Sequence, residues 1–434
     1  MPQERLRFGE LTIDVAERRV TCAGRDVALA PKAHDVLAYL TRHAGHLVSK
    51  QDLLDAIWPD AFVEEGILAV HISALRKALA DDPRAPRYIQ TVSKSGYRFL
   101  GSDGSRTSVG TGADTDRARR ADVYELVGQG RRLLLSSKFS NLPEARRLLE
   151  SAIALDAAYA PAHAVLALVQ CARVELRQVQ PAAGFAEAKA SALRALGLDD
   201  ESVDARVALG AVLMLSEWDW SGAERSFQRA LELSPHHTQA RLLYGRLLDA
   251  IGQTDDGLAM KLRALEDDPF SPAVHLAIAL SYWHQRRFDD TIRWARKTLE
   301  LDASHLLARE FLAGAYWAMG DFDRHMTENL AHAATFGVSA EALDPLRERY
   351  AAEGRAGVLR MSLEQAAAGP GFPEAQLALV HGELGNLDEA MAHLERAIEG
   401  RDPCLVDLAV APQWDSLRAH PGFGRCLAHV GLAR

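Results

Sequence analysis

Only four of the 434 residues are cysteine (Cys22, Cys171, Cys404 and Cys426). They lie far apart, without CxxC or Cys/His ligand spacing, so they read as reduced thiols and exclude a disulfide framework. No apolar run approaches the roughly 18 residues a membrane helix needs. The opening MPQERLRFGE has two acids and no apolar core of a signal peptide. GxSxG, HExxH and GxxxxGK[ST] are all missing, and Gly110-Thr111-Gly112 lacks the spacing and Lys of a phosphate loop. The acid pairs Asp199-Asp200, Asp255-Asp256 and Asp267-Asp268 fall at predicted helix starts or repeat turns, where capping and helix dipoles explain carboxylates. His236-His237 has no partners at ligand spacing, so no metal site is expected. These absences argue against a secreted, membrane-spanning or catalytic protein. They predict a cytoplasmic chain with no cofactor.

What is present is ordinary in bulk and uneven in distribution. Hydrophobic residues make up 48% and charged residues 25%, as in folded globular proteins. The formal net charge of −9 would by itself disfavour nucleic acid. Residues 1–100, however, hold 14 Lys+Arg and 13 Asp+Glu, and 101–121 hold four Arg and three Asp. Residues 122–434 hold 32 and 43, so nearly all the negative charge lies there. The stretch GSDGSRTSVGTGADTDRARRA has a single Val and cannot form a core, which predicts a flexible linker over 102–121.

Over residues 1–101, short alternating stretches predict strands at Leu6–Phe8, Leu11–Ile13, Arg19–Cys22 and Val27–Leu29. Pro31 opens a helix carrying Val36, Leu37 and Leu40, and Ser49 caps a second with Leu53, Leu54 and Ile57. A third helix is predicted from about Val63 to Ala80, and Tyr88–Val92 and Tyr97–Leu100 flank Ser95-Gly96 as a hairpin. This order describes a winged helix-turn-helix domain. At 100° per residue, Leu68, Ile72, Leu75 and Leu79 share one buried stripe of the third helix. The opposite face holds Gly66, Ile67, Val70, Ser73, Ala74 and Lys77, with His71 and Arg76 on its flanks. An acid-free face rimmed by cations suits a major groove, and suits a protein surface equally well.

Several blocks occur in one order across these residues: VALAPK, LVSKQDLL, IWPD, VEE, HISALRKAL, and YIQTV leading into GYRF. Together they resemble the OmpR/PhoB-type transcriptional regulatory DNA-binding domain, in its CadC-like branch, where the domain is amino-terminal with no preceding receiver domain. The resemblance implies a third helix in the major groove and a wing in the neighbouring minor groove. It places Val70, His71, Ser73, Arg76 and Lys77 towards the groove, and Thr91, Lys94 and Tyr97 on or beside the wing. The loop Trp58–Phe62 matches the segment through which some relatives meet RNA polymerase, with Trp58 itself expected as a core plug. Gly66, Ser73 and Ala74 stand where family members often carry Arg. With about five cationic contacts left, the salt slope would be only about −4 to −5. A single copy is therefore expected to bind weakly, with occupancy depending on a homodimer on adjacent half-sites.

Beyond the linker the chain repeats. Ala152, Ala195, Ala230, Ala264, Thr298, His332, Ala366 and Ala397 recur at spacings of 43, 35, 34, 34, 34, 34 and 31. Pro235 and Pro269, Tyr282 and Tyr316, and Phe288 and Phe322 keep the same 34-residue step. That period and those small, aromatic and proline positions resemble tetratricopeptide repeats over 122–401, with about eight helix pairs and a poor unit at 339–368. Residues 402–434, including APQWDSLR and HPGF, resemble the capping segment that closes such arrays. The predicted fold is multidomain: an α+β winged helix-turn-helix domain followed by an all-α tetratricopeptide-repeat superhelix.

Counting from the anchors puts Arg246, Trp283, His284 and Trp317 on the inner surface of the array. Two stacked indoles beside Arg could grip a peptide or an aromatic ligand. The same two rings could instead fill the core of their own repeats. The combination predicts a DNA-binding transcriptional regulator whose repeats receive a protein, peptide or small-ligand signal, or mediate self-association. The alternative is a repeat scaffold whose winged helix binds protein.

Overall fold

A computed structural model describes residues 5–14, 19–22, 24–27, 29–45, 47–57, 66–83, 86–92, 96–100, 111–136, 139–335, 338–339, 341–368 and 372–433. They form two units, Met1–Asp114 and Thr115–Arg434, each described by itself.

The first unit begins with an antiparallel meander of β1 (Arg5–Phe8), β2 (Leu11–Asp14), β3 (Arg19–Cys22) and β4 (Arg25–Asp26). Strand β4 departs from the Val27–Leu29 expected. With the turn at Gly24 the strand starts two residues earlier, so Arg25 and Asp26 face Cys22 and Thr21. Arg19 then grips Asp26 with two 2.8 Å hydrogen bonds, and the amide of Val27 continues the pairing, donating to Val20 O at 2.8 Å.

Helix α1 (Pro31–Arg42) starts at its proline, whose fixed φ suits the first helical position. Strand β5 (Leu47–Ser49), not foreseen as a strand, runs directly into α2 (Lys50–Ile57). Ser49 and Asp52 cap one another there: Asp52 N donates to Ser49 Oγ at 3.0 Å, and Ser49 N donates to the Asp52 carboxylate at 3.2 Å. Helix α3 (Gly66–Leu79) precedes the hairpin of β6 (Ile89–Val92) and β7 (Gly96–Phe99), and the second sheet has the order β5-β7-β6. Gly96 is required at the crossing with β5. A Cβ there would lie 2.8 Å from Ser49 Cα. The stripe of Leu68, Ile72, Leu75 and Leu79 is buried, packed with Leu37, Leu53 and Phe99. Phe8 meets Phe99 edge-on at 4.9 Å, tying the first sheet to the second.

Helix α4 (Thr111–Leu135), which belongs to the second unit from Thr115 on, takes in the later part of the stretch expected as a linker. Residues 111–121 are helical, and 101–110 lie outside the described residues. Asp, Ala and Arg outnumber Gly after Gly112, which lets the helix extend amino-terminally from its anchored turns around Val123 and Val127.

Helix pairs follow: α5 (Leu142–Leu155) completes the first, then α6 (Ala160–Glu175) with α7 (Pro181–Leu198), and α8 (Val203–Val212) with α9 (Trp220–Leu233). Next come α10 (Thr238–Ala250) with α11 (Thr254–Asp267), α12 (Pro272–His284) with α13 (Phe288–Leu301), and α14 (Leu306–Ala318) with α15 (Phe322–Thr335). Helix α16 (Asp344–Ala368) covers the poor unit. It is a helix pair merged across a break at Gly354 (φ 59°, ψ −152°). The pair α17 (Glu374–Glu383) and α18 (Leu387–Glu399) is last, followed by 3-10 turns at Pro403–Asp407 and Pro412–Leu417 and the short α19 (Phe423–His429).

The anchors Ala152, Ala195, Ala230, Ala264, Thr298 and Ala397 are buried where helices cross, as the period requires. His332 in α15 and Ala366 in the irregular α16 are only half-buried.

Between α10 and α11 the crossing is tight enough to need two glycines. A Cβ on Gly257 would lie 2.6 Å from Gly245 O, and one on Gly245 would lie 2.8 Å from Gly257 O. Beside them sits a fully buried ion pair. Lys261 donates to Asp249 at 2.5 Å and to Ser281 Oγ at 2.7 Å, and Ser281 donates to Asp249 at 2.8 Å. Burial pushes the Lys261 ammonium below its ordinary value. Burial would raise the Asp249 carboxyl, but the Lys261 charge and the neighbouring His284 hold it low.

Removing one partner from such a pair strands a charge. Lys261→Met should therefore cost about 3–5 kcal/mol in chemical unfolding, and adding Asp249→Leu should restore most of the loss. A different carboxylate should set the acid limit. Asp204 is buried, which would raise it, yet hydrogen bonds from His237 (3.2 Å) and Arg131 (2.5 Å) hold it below the usual carboxylate range. A depressed folded value contributes stability above an ordinary carboxyl pKa of about 4, lost as pH falls through the folded value. Asp204→Asn should lower stability at neutral pH and flatten the acid limb of a melting-temperature profile.

Candidate functional sites: a nucleic-acid interface and a repeat groove

Helix α3 presents Val70, Ser73, Ala74 and Lys77 outward, and Val70 is 65% exposed although aliphatic. Its end is built with care. Ala80 takes a left-handed conformation (φ 52°), letting the Asp81 amide return to Arg76 O at 2.9 Å. That places the buried Asp81 carboxylate against the incoming hairpin. It accepts from Arg87 N (2.6 Å), Tyr88 N (3.0 Å) and Ile89 N (2.8 Å). Arg76 makes a second tie, donating to Ile89 O and Thr91 Oγ1, both at 2.8 Å.

The expected contact residues thus divide. Val70, Ser73 and Lys77 lie on the outer face and His71 is half-buried on its flank. Arg76 and Thr91 are engaged with each other, so their first role is to set the angle between α3 and β6. Tyr97, expected on or beside the wing, lies on β7 between β5 and β6 and is largely buried in the domain core. It nonetheless lines an open depression of about 590 Å³ with Ser73, Arg76 and Lys77, between α3 and the hairpin. Lys94 and the loop Trp58–Phe62 lie outside the described residues. Asp81, the most connected polar group of the domain's α3–hairpin junction, escaped sequence reading because an Asp after a helix looks like any turn residue.

In the repeats, the four inner-surface residues are all held by the chain itself. Arg246 donates to Glu175 at 2.5 Å and to Asp407 at 3.3 Å. Burial would lower its guanidinium, but those two carboxylates more than offset this and raise it. His284 is buried between Asp249 (3.4 Å) and Asp407 (3.8 Å).

The two indoles do not stack on each other. Trp283 is buried against Phe288 and Phe311, and its Nε1 donates to Gln413 at 3.1 Å. Trp317 packs on Phe322 and His325, lies under Arg355 at 3.9 Å, and donates to Glu383 at 2.9 Å. The 34-residue step gives equivalent positions, but each ring fills the gap towards its own second helix. Asp407 and Gln413 belong to the carboxyl-terminal segment, expected only as an end cap. Among the described residues no group of three or more His, Cys, Asp or Glu could hold a metal, and all four cysteines are free thiols. No helix among them is long and apolar enough to cross a membrane.

Comparison with known proteins accords with this division. Residues 24–99 match the family "Transcriptional regulatory protein, C terminal", and 214–280 and 375–401 match tetratricopeptide repeats. The chain carries an OmpR/PhoB-type DNA-binding domain at its amino terminus and tetratricopeptide repeats in the rest, both non-catalytic kinds of domain. The first of these is a domain of transcription regulators, and repeats of the second kind suggest protein interaction.

Similar proteins include the transcriptional activator CadC of Escherichia coli, 34% identical over 101 residues, which are 23% of this chain and 20% of that protein. The transcriptional regulatory protein KdpE of Mycobacterium tuberculosis is 35% identical over 100 residues, 23% of this chain and 44% of that one. The chain therefore spans a fifth of the one and less than half of the other. Among solved structures, the Klebsiella pneumoniae RstA DNA-binding domain in complex with the RstA box is 35% identical, covering 22% of this chain and 97% of that one, with a TM-score of 0.21.

The α3–hairpin junction can be tested directly. Asp81→Ala leaves the buried amides of Tyr88 and Ile89, and the part-buried one of Arg87, without that acceptor and should cost roughly 3 kcal/mol. The first unit's unfolding transition should drop in temperature, while that of the repeats stays in place in a calorimetric scan.

Proposed function

We propose that this protein is a transcription regulator that reads double-stranded DNA with the outer face of α3, in the bacterial cytoplasm, and takes protein partners through its repeats. The observation that supports this best is the acid-free outer face of α3, locked to the hairpin by Arg76 and Asp81. Rigid presentation of a helix and a neighbouring ribbon suits two adjacent grooves of a duplex. Lys77 supplies a phosphate or guanine contact, Ser73 a hydroxyl, and Val70 and Ala74 apolar surface for thymine methyls.

Arg76 acts chiefly as a positioning residue, since its guanidinium already serves Ile89 and Thr91. That reduces the free cations on α3 and favours two copies on adjacent half-sites over one. The loop Trp58–Phe62 is assigned to RNA polymerase contact on the family resemblance. The signal enters through the repeats, as a bound protein or peptide or as self-association.

Selection of bound sequences from a random DNA pool with the full chain should yield a defined motif, repeated in two half-sites. Lys77→Ala should weaken binding and reduce the salt slope by about one, and Ser73→Arg should strengthen binding and steepen it by about one. Indifference of DNA binding to both substitutions would favour the protein-binding scaffold instead.

A further inference from the structure

The two ends of the helix-pair array are finished differently. At the last end the segment after α18 is tied to earlier repeats. Arg177 donates to Asp402 at 3.2 Å, Arg286 to Asp415 at 2.9 and 2.5 Å, and Arg401 to Ser216 O at 2.8 Å. Ser216 belongs to a turn of π-helix, Leu213–Glu217. Arg177 (φ 55°), Trp218 (φ 55°) and Arg286 (φ 58°) follow inner helices there in a strained left-handed conformation.

At the first end α4 keeps its outer face exposed. Its other side, with Val123 and Val127, enters the core beside Ala145 and Leu149. At 100° per residue, Ala121, Tyr124, Gly128, Arg132 and Leu135 fall within about 80° of one another on the outer side. Among the described residues, four large apolar side chains are more than 60% exposed. Val70 belongs to the DNA face and Phe270 to a turn, while Tyr124 (63%) and Leu135 (68%) share this one face of α4.

Two glycines in α4 show what the chain itself requires. A Cβ on Gly130 would lie 2.8 Å from Leu149 Cγ, so packing on α5 demands that glycine. A Cβ on Gly128 would meet nothing nearer than the flexible end of Arg132, at 3.7 Å. Glycine weakens a helix. At the middle of an exposed face its physical reason is a second helix crossing closely from outside.

The face complements itself. An antiparallel crossing with its two-fold axis at Gly128 sets Ala121 against Leu135 of a second copy, and Tyr124 against Arg132 of that copy. The exposed Glu125 comes beside the same guanidinium. Each apolar, cation–aromatic and ionic pair is then made twice. Reach agrees with this pairing. Helix α4 rises about 26 Å from Thr111 to Gly128, so the two helix starts would lie about 50 Å apart. Residues 101–110 span at most about 36 Å. Half-sites one helical turn apart are centred about 34–36 Å from each other, within range of both tethers.

We propose that the outer face of α4 is the dimer interface of this protein, and that its occupant is the same face of a second copy. This rests on the two-copy DNA reading above and supplies the surface that reading needs.

Sedimentation equilibrium of the full chain at micromolar concentration should show a dimer without DNA. Gly128→Gln and Leu135→Glu should each raise its dissociation constant at least tenfold, with helix content unchanged by circular dichroism. Glu125→Arg and Arg132→Glu should each weaken self-association, and an equimolar mixture of those two variants should recover it as a heterodimer. A native chain that stays monomeric overturns the proposal. So does a dimer indifferent to Gly128→Gln and Leu135→Glu, or a mixture no more associated than its parts. DNA titrations on the same proteins separate the two ideas. Gly128→Gln should keep the affinity for one half-site and lose cooperative filling of two. A dimer without sequence-selective DNA binding sinks the DNA reading alone, and cooperative filling unchanged in the variant sinks the α4 interface alone.

Discussion

Stacked helix pairs leave an apolar face uncovered at each end of their array, and residues 402–433 are organised around covering the last one. Trp414 and Leu417 are fully buried against α17 and α18, and Phe423 and Val430 finish the same cluster. To reach that face the chain must leave α18 sharply, which it does at Arg401 in a left-handed conformation. The exit direction carries the first part of the segment across the inner wall instead of away from it. Val406 consequently joins the core of the second, third and fourth repeats, and Trp220 Nε1 donates to Val430 O at 2.8 Å. One requirement, closing an open end, therefore also closes the groove. The groove's arginines, its π-turn and its strained carboxyl-cap residues all answer to it.

The amino-terminal unit obeys a corresponding constraint at smaller scale. A recognition helix is useful only if its angle to the wing is fixed, and α3 ends where that angle is decided. Ala80 reverses the chain, Asp81 gathers three amides of the strand approach, and Arg76 reaches across to β6. The guanidinium and the carboxylate do for α3 and the hairpin what a longer loop could not, because an unanchored connection would let the two elements rotate independently. A cation spent on that joint is one fewer for phosphate, and this is the physical meaning of an α3 so poor in free arginine.

Much of this was legible in the residues themselves. The stripe Leu68, Ile72, Leu75 and Leu79 announced both the helix and its buried face, because 3.6-residue periodicity is a local property. The 34-residue step announced the repeats for the same reason, and even the weak unit at α16 showed as a failed match. Strand β5 was missed because three residues between helices are too few for alternation to register, and only its pairing with β7 makes it a strand. The surroundings of the two indoles were not legible, for a deeper reason. Equivalent positions in adjacent repeats fixed the location of Trp283 and Trp317 but not their neighbours. Gln413, the partner of Trp283 Nε1, is 130 residues further along, in an irregular 3-10 turn that carries no period to read.

Net charge misled twice, in opposite directions. The whole-chain value hid a near-neutral amino-terminal unit, and the acidity of the repeats hid three arginines, Arg177, Arg246 and Arg286, that tie the carboxyl-terminal segment to earlier repeats. Charge acts over about a Debye length, near 8 Å at physiological salt, so a groove feels its own lining and little of the distant outer surface. Arg177, Arg246 and Arg286 lie well within that distance of the carboxylates that pair with them, Asp402, Glu175 and Asp407, and Asp415, so these local pairs and not the net charge set the field there.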